Sequence, residues 1–201
     1  MSESKTEISL EALRGGDRRE FARLVDAYSG PLYRLALKML GNSSDAEDAL
    51  QNTFLKALQH LGTFEGRSSL STWLYRIASN EALMLLRKRR PETNFSDMTA
   101  EDEDIRNYDP VQLTDWCCLP EDEYLSAEAH TILDRAVERL PETLRIVFVL
   151  RDIEDLSIQE TSQVLGLSET AVKTRLLRAR LRLREELSSY YGLQLDKRSK
   201  E

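Results

Sequence analysis

Between residues 91 and 130 the chain carries twelve acidic side chains and a single basic one. A stretch so one-signed repels itself and does not fold compactly alone, so it divides what lies on either side. Residues 1–90 hold 14 Lys and Arg against 11 Asp and Glu, and residues 131–201 hold 13 against 12. The net charge of −7 is therefore the charge of the middle, and it excludes an anionic partner for neither flank. At about 100 to 200 residues per domain, 201 residues would fit one large domain or two small ones. The acidic block selects two.

Hydrophobic residues at 41% and only eight Gly and five Pro supply ordinary cores and exclude collagen-like or wholly disordered chains. No apolar run approaches the roughly 20 residues of a membrane span, and Met1 to Leu10 lacks the basic-then-apolar pattern of a signal peptide. A cytoplasmic location without membrane insertion is expected. Cys117 and Cys118 are adjacent, which gives no disulfide framework. A metal site would need further ligands, and the histidines, His60 and His130, lie on different segments. The thiols are read as incidental, and no cofactor or metal is expected.

Helix signals fill both flanks. Asp17 to Glu20 reads as a capping box, followed at helical spacing by Phe21, Leu24, Val25 and Tyr28, then by Leu32, Leu35, Ala36 and Met39. Pro31 should bend or restart this helix, and Gly41 should end it. Ser44 to Glu47 reads as a second capping box, opening a helix to Leu61. On it Ala46, Leu50, Thr53, Phe54, Ala57 and Leu61 share one face, while Asp48, Gln51, Asn52, Leu55 and Gln59 share the other. A loop, Thr63 to Ser69, precedes a helix expected to be capped by Ser71 and to end in Arg87-Lys88-Arg89-Arg90. One or two cations would offset that helix's dipole. Four, with Arg67, Trp73, Tyr75 and Arg76 nearby, suit a phosphate backbone and unstacked bases.

The second flank opens with an amphipathic segment, Ala127 to Leu140, and Pro141 is placed for the first turn of another helix. Ser157 with Glu160 forms a third capping box, a short helix runs to Leu165, Gly166 turns the chain, and Ser168 caps a long helix to about Leu187. This is the outline of a helix-turn-helix. Val172, Leu176, Ala179, Leu183 and Leu187 form the packed stripe of the long helix, leaving Thr170, Lys173, Thr174, Leu177 and Arg178 outward. Six basic residues between Ser168 and Arg184 face one acid, Glu169. A solvated helix face usually mixes signs, so the excess points to an anionic ligand.

Three segments in order resemble one family: DAEDALQNTFLKAL (Asp45 to Leu58), FEGRSSLSTWLYRIA (Phe64 to Ala78) and the stretch Leu140 to Arg184. They look like regions 2.2, 2.3 to 2.4 and 4 of an extracytoplasmic-function (ECF) sigma factor. The resemblance implies an all-α chain of two small helical domains joined by an acidic flexible linker, the second domain a helix-turn-helix. The expected boundaries are 1–92, linker 93–124, 125–190 and a tail, 191–201. It implies no catalytic activity, but binding to core RNA polymerase at its clamp helices and flap region, recognition and melting of promoter DNA, and control by an anti-sigma factor. Asp48, Gln51, Asn52 and Leu55 would dock on polymerase. Phe64, Glu65, Gly66, Arg67, Ser68, Ser69, Trp73, Tyr75, Arg76 and Asn80 would hold and melt the minus-10 element, with a base flipped into a pocket. Ser168, Thr170, Lys173, Thr174, Leu177 and Arg178 would read the minus-35 element.

Two rivals follow from the residues themselves. A helix-turn-helix operator-binding regulator would use the same C-terminal helices without polymerase. An enzyme would need a nucleophile–base pair, a phosphate loop or a ligand cluster, and none is visible in the sequence.

Overall fold

The computed structural model describes residues 8–89 and 127–198. The expected linker, with Cys117 and Cys118, lies outside the described residues. Within them the chain is all-α: α1 (Leu10–Arg14), α2 (Arg18–Leu40), α3 (Ser43–His60), a 3-10 turn (Leu61–Thr63) and α4 (Leu70–Arg89), followed by α5 (Ala127–Arg139), α6 (Glu142–Phe148), a π turn (Val149–Ile153), α7 (Ile158–Leu165) and α8 (Glu169–Arg198).

Helices α2, α3 and α4 pack mutually around Leu24, Leu32, Leu35, Met39 and Leu74, all fully buried. α2 runs without a break through Pro31, so the helix does not restart there. An interior proline costs about 3 kcal/mol or more. Burying a leucine returns roughly 1.5 to 3 kcal/mol, and the stripe continues on both sides of Pro31.

The caps at Ser157 and Ser168 formed as read, and others moved. Asp17 accepts from the N–H groups of Arg19 and Glu20, but Glu20 does not close the box. Asp17 N–H is taken by Ala12 O at 3.0 Å, which leaves the Glu20 carboxylate to accept from Ser9 N–H at 2.7 Å, holding the start of α1. The box at Ser44 is absent. Gly41 takes the left-handed conformation (φ 71) and sends Asn42 into extended backbone, so Asn42 becomes the N-cap and accepts from Asp45 N–H at 2.9 Å. Ser69, not Ser71, caps α4, accepting from Thr72 N–H at 3.1 Å.

In the second unit α6 and α7 pack on α8 around Leu144, Ile146, Val147, Leu150, Val172 and Leu183. Pro141 stands at the N-cap of α6, one residue ahead of the first-turn place expected. The capping box of α7 is complete: Ser157 Oγ accepts from Glu160 N–H, and Glu160 accepts from Ser157 N–H at 2.8 Å. Gly166 turns the chain at φ 66, and Ser168 Oγ accepts from Ala171 N–H at 3.1 Å. Past Leu187, the end expected from the sequence, α8 continues to Arg198. No proline lies between to break it.

The backbone hydrogen bond from Ser157, then the Ser157 hydroxyl, hold the Glu160 carboxyl below its ordinary value. A carboxylate depressed in the folded state contributes stability that is present above its unfolded pKa and lost as pH falls through the folded one. Glu160→Gln should therefore destabilise α7 at neutral pH, with the gap to wild type closing in acid. Ser157→Ala should cost about 1 kcal/mol. Hydrogen exchange of the α7 amides at pH 7 and pH 3 reads both.

Candidate nucleic-acid and polymerase interface

The two faces of α3 separate as their spacing predicts. Ala46, Ala49, Thr53 and Ala57 are buried, while Asp48, Gln51, Asn52 and Leu55 are exposed. Leu55 is 56% exposed, and Leu58 beside it is 54% exposed. Leu58 was not singled out from the sequence, although it stands three residues after Leu55 and so shares its surface. Phe54, on the inner side, meets Phe21 edge to face at 6.5 Å.

At 100° per residue, Trp73, Arg76, Ile77 and Asn80 lie on one outward arc of α4. Arg76 and Asn80 are exposed, and Trp73 and Ile77 are half-buried. Trp73 rests on the buried Phe64 ring, centroids 4.9 Å apart, and Arg14 donates to Phe64 O. The preceding loop is thus anchored at one end by Phe64 and at the other by the Ser69 cap. Between them, exposed Glu65 and Arg67 pair at 2.6 Å, Gly66 takes φ 76, and Ser68 is half-buried. The structure brings this loop, Trp73, Arg76 and Asn80 to one side of the first unit.

Tyr75 is not among them. It is buried on another side of α4, and its hydroxyl donates to Glu154 Oε2 at 2.8 Å. Burial, then the hydrogen bond to Glu154, push the phenol well above its ordinary value. Arg89, from the terminal basic run, donates to Leu40 O and pairs with Asp45, so this cation closes the α2–α3 corner.

Ser168, which caps α8, and Thr170 and Lys173 on it are exposed, Thr174 is half-buried, and Leu177 is 37% exposed. Arg178, expected outward, is half-buried, with Nε and Nη2 out of contact with solvent. Arg180 makes a bidentate pair with Asp152, at 2.8 and 2.7 Å. That bond raises its pKa and ties α8 to the π turn. Asp152 lies 28 residues away in sequence, too far for any local pattern to foretell the pair.

Sigma-70 region 2 matches residues 24–92, and Sigma-70 region 4 matches residues 130–183. Together they define a protein of sigma-70 type, with region 2 on α2 to α4 and region 4 on α5 to α8. Over its length the chain is 35% identical to the ECF RNA polymerase sigma factor SigW of Bacillus subtilis, covering 89% of this chain and 94% of that one. It is 34% identical to RNA polymerase sigma-H factor of Pseudomonas aeruginosa (90% and 92% covered) and 34% identical to ECF RNA polymerase sigma-E factor of Escherichia coli (90% and 93%). The chain belongs to the ECF RNA polymerase sigma factors.

The fold agrees with solved structures. CnrH, solved in complex with the cytosolic domain of CnrY, superposes with TM-score 0.63 at 24% identity, covering 90% of this chain and 95% of that one. The sigma factor RpoE of Bartonella quintana, solved with the anti-sigma factor NepR, gives TM-score 0.63 at 24% identity, covering 85% and 98%. An operator-binding regulator independent of polymerase is not favoured. Among the described residues no helix is long and apolar enough to cross a membrane.

Proposed function

We propose that this ECF sigma factor divides its work among three surfaces. Asp48, Gln51, Asn52 and Leu55 on α3 dock on the clamp helices of core RNA polymerase. The 64–69 loop, with Trp73, Arg76 and Asn80 of α4, takes the minus-10 element, holding an unstacked base against an aromatic floor beside backbone-binding cations. Ser168 at the start of α8, with Thr170, Lys173, Thr174, Leu177 and Arg178 on it, takes the major groove of the minus-35 element. The unit boundaries at residues 92 and 125 leave an acidic connection suited to basic, nucleic-acid-holding channels of polymerase. The second unit also meets the flap region.

The chain works in the cytoplasm, has no catalytic activity of its own and is held in check by an anti-sigma factor. What carries the reading is the exposed α3 face. Two large leucines stand 56% and 54% exposed beside a run of polar side chains, an arrangement that fits a protein interface better than a solvated helix. The test is co-elution of the purified protein with core polymerase on size exclusion. A stoichiometric complex is expected, and separate elution at micromolar concentration would overturn the docking assignment.

A further inference from the structure

Helix α1 lies ahead of the residues that sigma-70 region 2 matches, which begin at 24, and none of the three surfaces proposed above uses it. With five residues it is far below the length of about 12 to 15 at which a helix holds itself in water. Its neighbours hold it instead. Leu13 is buried in the core, the Glu20 carboxylate accepts from Ser9 N–H at its start, and Asp17 N–H donates to Ala12 O at 3.0 Å. Asp17 and Glu20 stand at the head of α2, so α1 is tied to the longest helix of the first unit. It lies against the 3-10 turn Leu61–Thr63, immediately before the loop assigned to the minus-10 element.

Arg14, the last residue of α1, is exposed, and its Nη2 donates to Phe64 O across 50 residues of sequence. Phe64 is where the loop begins. Its N–H donates to Leu61 O at 3.1 Å, and its buried ring carries Trp73. A peptide link is planar and trans, so a bond to the Phe64 oxygen fixes the plane of the Phe64–Glu65 link and turns Glu65 N–H away from α1. The far end of the loop is held by the Ser69 cap. Between the two ends, the Glu65–Arg67 pair lies in solvent, where such a pair contributes little. The direction in which the loop leaves the 3-10 turn therefore depends on Arg14.

We infer that Arg14 is a positioning residue for the minus-10 element: by gripping Phe64 O it holds the 64–69 loop in the shape that receives the unstacked base, without itself touching that base. This rests on the minus-10 reading proposed above. Taking a base out of the stack costs energy, and a preformed recess offsets that cost better than a loop that must first be ordered.

Two measurements on the full chain test it. In the free protein, amide order parameters of Glu65 to Ser68 should fall from about 0.85 to about 0.6 or below in Arg14→Ala, with α2, α4 and the thermal midpoint as in wild type. Arg14→Lys, which keeps a cationic donor on a long stem, should restore most of the order. In complex with core polymerase, the probe is a single-stranded oligonucleotide carrying the non-template minus-10 motif, together with a set in which one position at a time is abasic. One abasic position should cost wild type about tenfold in affinity. Arg14→Ala should shrink that ratio to about twofold while its affinity for core polymerase is unchanged, and Arg14→Lys should recover it. Unaltered order parameters in Arg14→Ala, or an even loss across all oligonucleotides with the ratio kept, as removal of one cation alone would give, would overturn the inference and leave the minus-10 reading standing. A wild type indifferent to every abasic position would sink that reading and the inference with it.

Discussion

Leu55→Arg is expected to weaken binding to core polymerase at least thirtyfold while leaving the thermal unfolding midpoint within a degree or two of wild type. The two halves of this expectation have separate causes. Leu55 stands away from the buried Ala46, Ala49, Thr53 and Ala57 side of α3, so the change touches no core, and surface substitutions of this kind stay within about 0.5 kcal/mol. An apolar anchor buried on binding contributes on the order of 2 kcal/mol or more, and an arginine there adds the cost of desolvating a charge. Asp48→Arg should act in the same direction. Leu58→Arg should too, because Leu58 extends the patch. Fluorescence anisotropy against core polymerase, with a thermal melt of each variant, reads both quantities. Loss of stability in step with loss of binding would mean that this face of α3 packs internally.

Lys173→Ala should blur base preference at one or two positions of the minus-35 element, with a discrimination loss of about 1 to 3 kcal/mol, or 5- to 150-fold. Lys173 is exposed near the start of α8, the end that reaches base edges in a docked helix-turn-helix. Arg178 was the other candidate from sequence, but its half-buried guanidinium makes Arg178→Ala a test of packing as well as reading. Arg182, exposed further along, serves as the contrast. Arg182→Ala should weaken binding evenly across sequences and lower the salt slope by about 0.9 for one lost phosphate contact. Arg180 would be a poor control because Asp152 already holds it. Binding selections on randomised minus-35 duplexes distinguish the outcomes, and unchanged base preference in Lys173→Ala would remove this side chain from direct readout.

Features decided within a few residues were legible before the structure. The Ser157–Glu160 box, the Gly166 turn and the Ser168 cap depend on neighbours four residues away or fewer, and all three are as read. The caps at Ser44 and Ser71 were misplaced for an equally local reason. Upstream polar residues, Asn42 behind the left-handed Gly41 and Ser69 at the end of its loop, reach the orphan N–H groups first. The Asp17 box failed through a contact with α1, whose Ala12 carbonyl satisfies the donor Glu20 would have taken. The exposed face of α3 followed from periodicity, because burial on a helix is a matter of angle.

The joining of the two units had no such signal. Tyr75 and Glu154 are 79 residues apart in sequence, Arg34 and Glu154 are 120 apart, and each residue alone reads as an ordinary surface or core side chain. The same holds for Tyr75 as a minus-10 candidate. Arg76 is exposed and Trp73 half-buried on one arc, but about 200° of helical rotation from Trp73 and 100° from Arg76 carry Tyr75 away from a surface that a run of nearby aromatic and basic letters had suggested.

The central claim is that this chain gives core RNA polymerase its choice of promoter, and run-off transcription from a library of genomic fragments tests it most directly. With core polymerase and the purified protein, initiation should appear at discrete starts preceded by two shared motifs, near minus-10 and minus-35, and should disappear when the protein is omitted or carries Leu55→Arg. Starts that do not depend on the protein, or a protein that binds specific duplexes alone and never redirects polymerase, would contradict it.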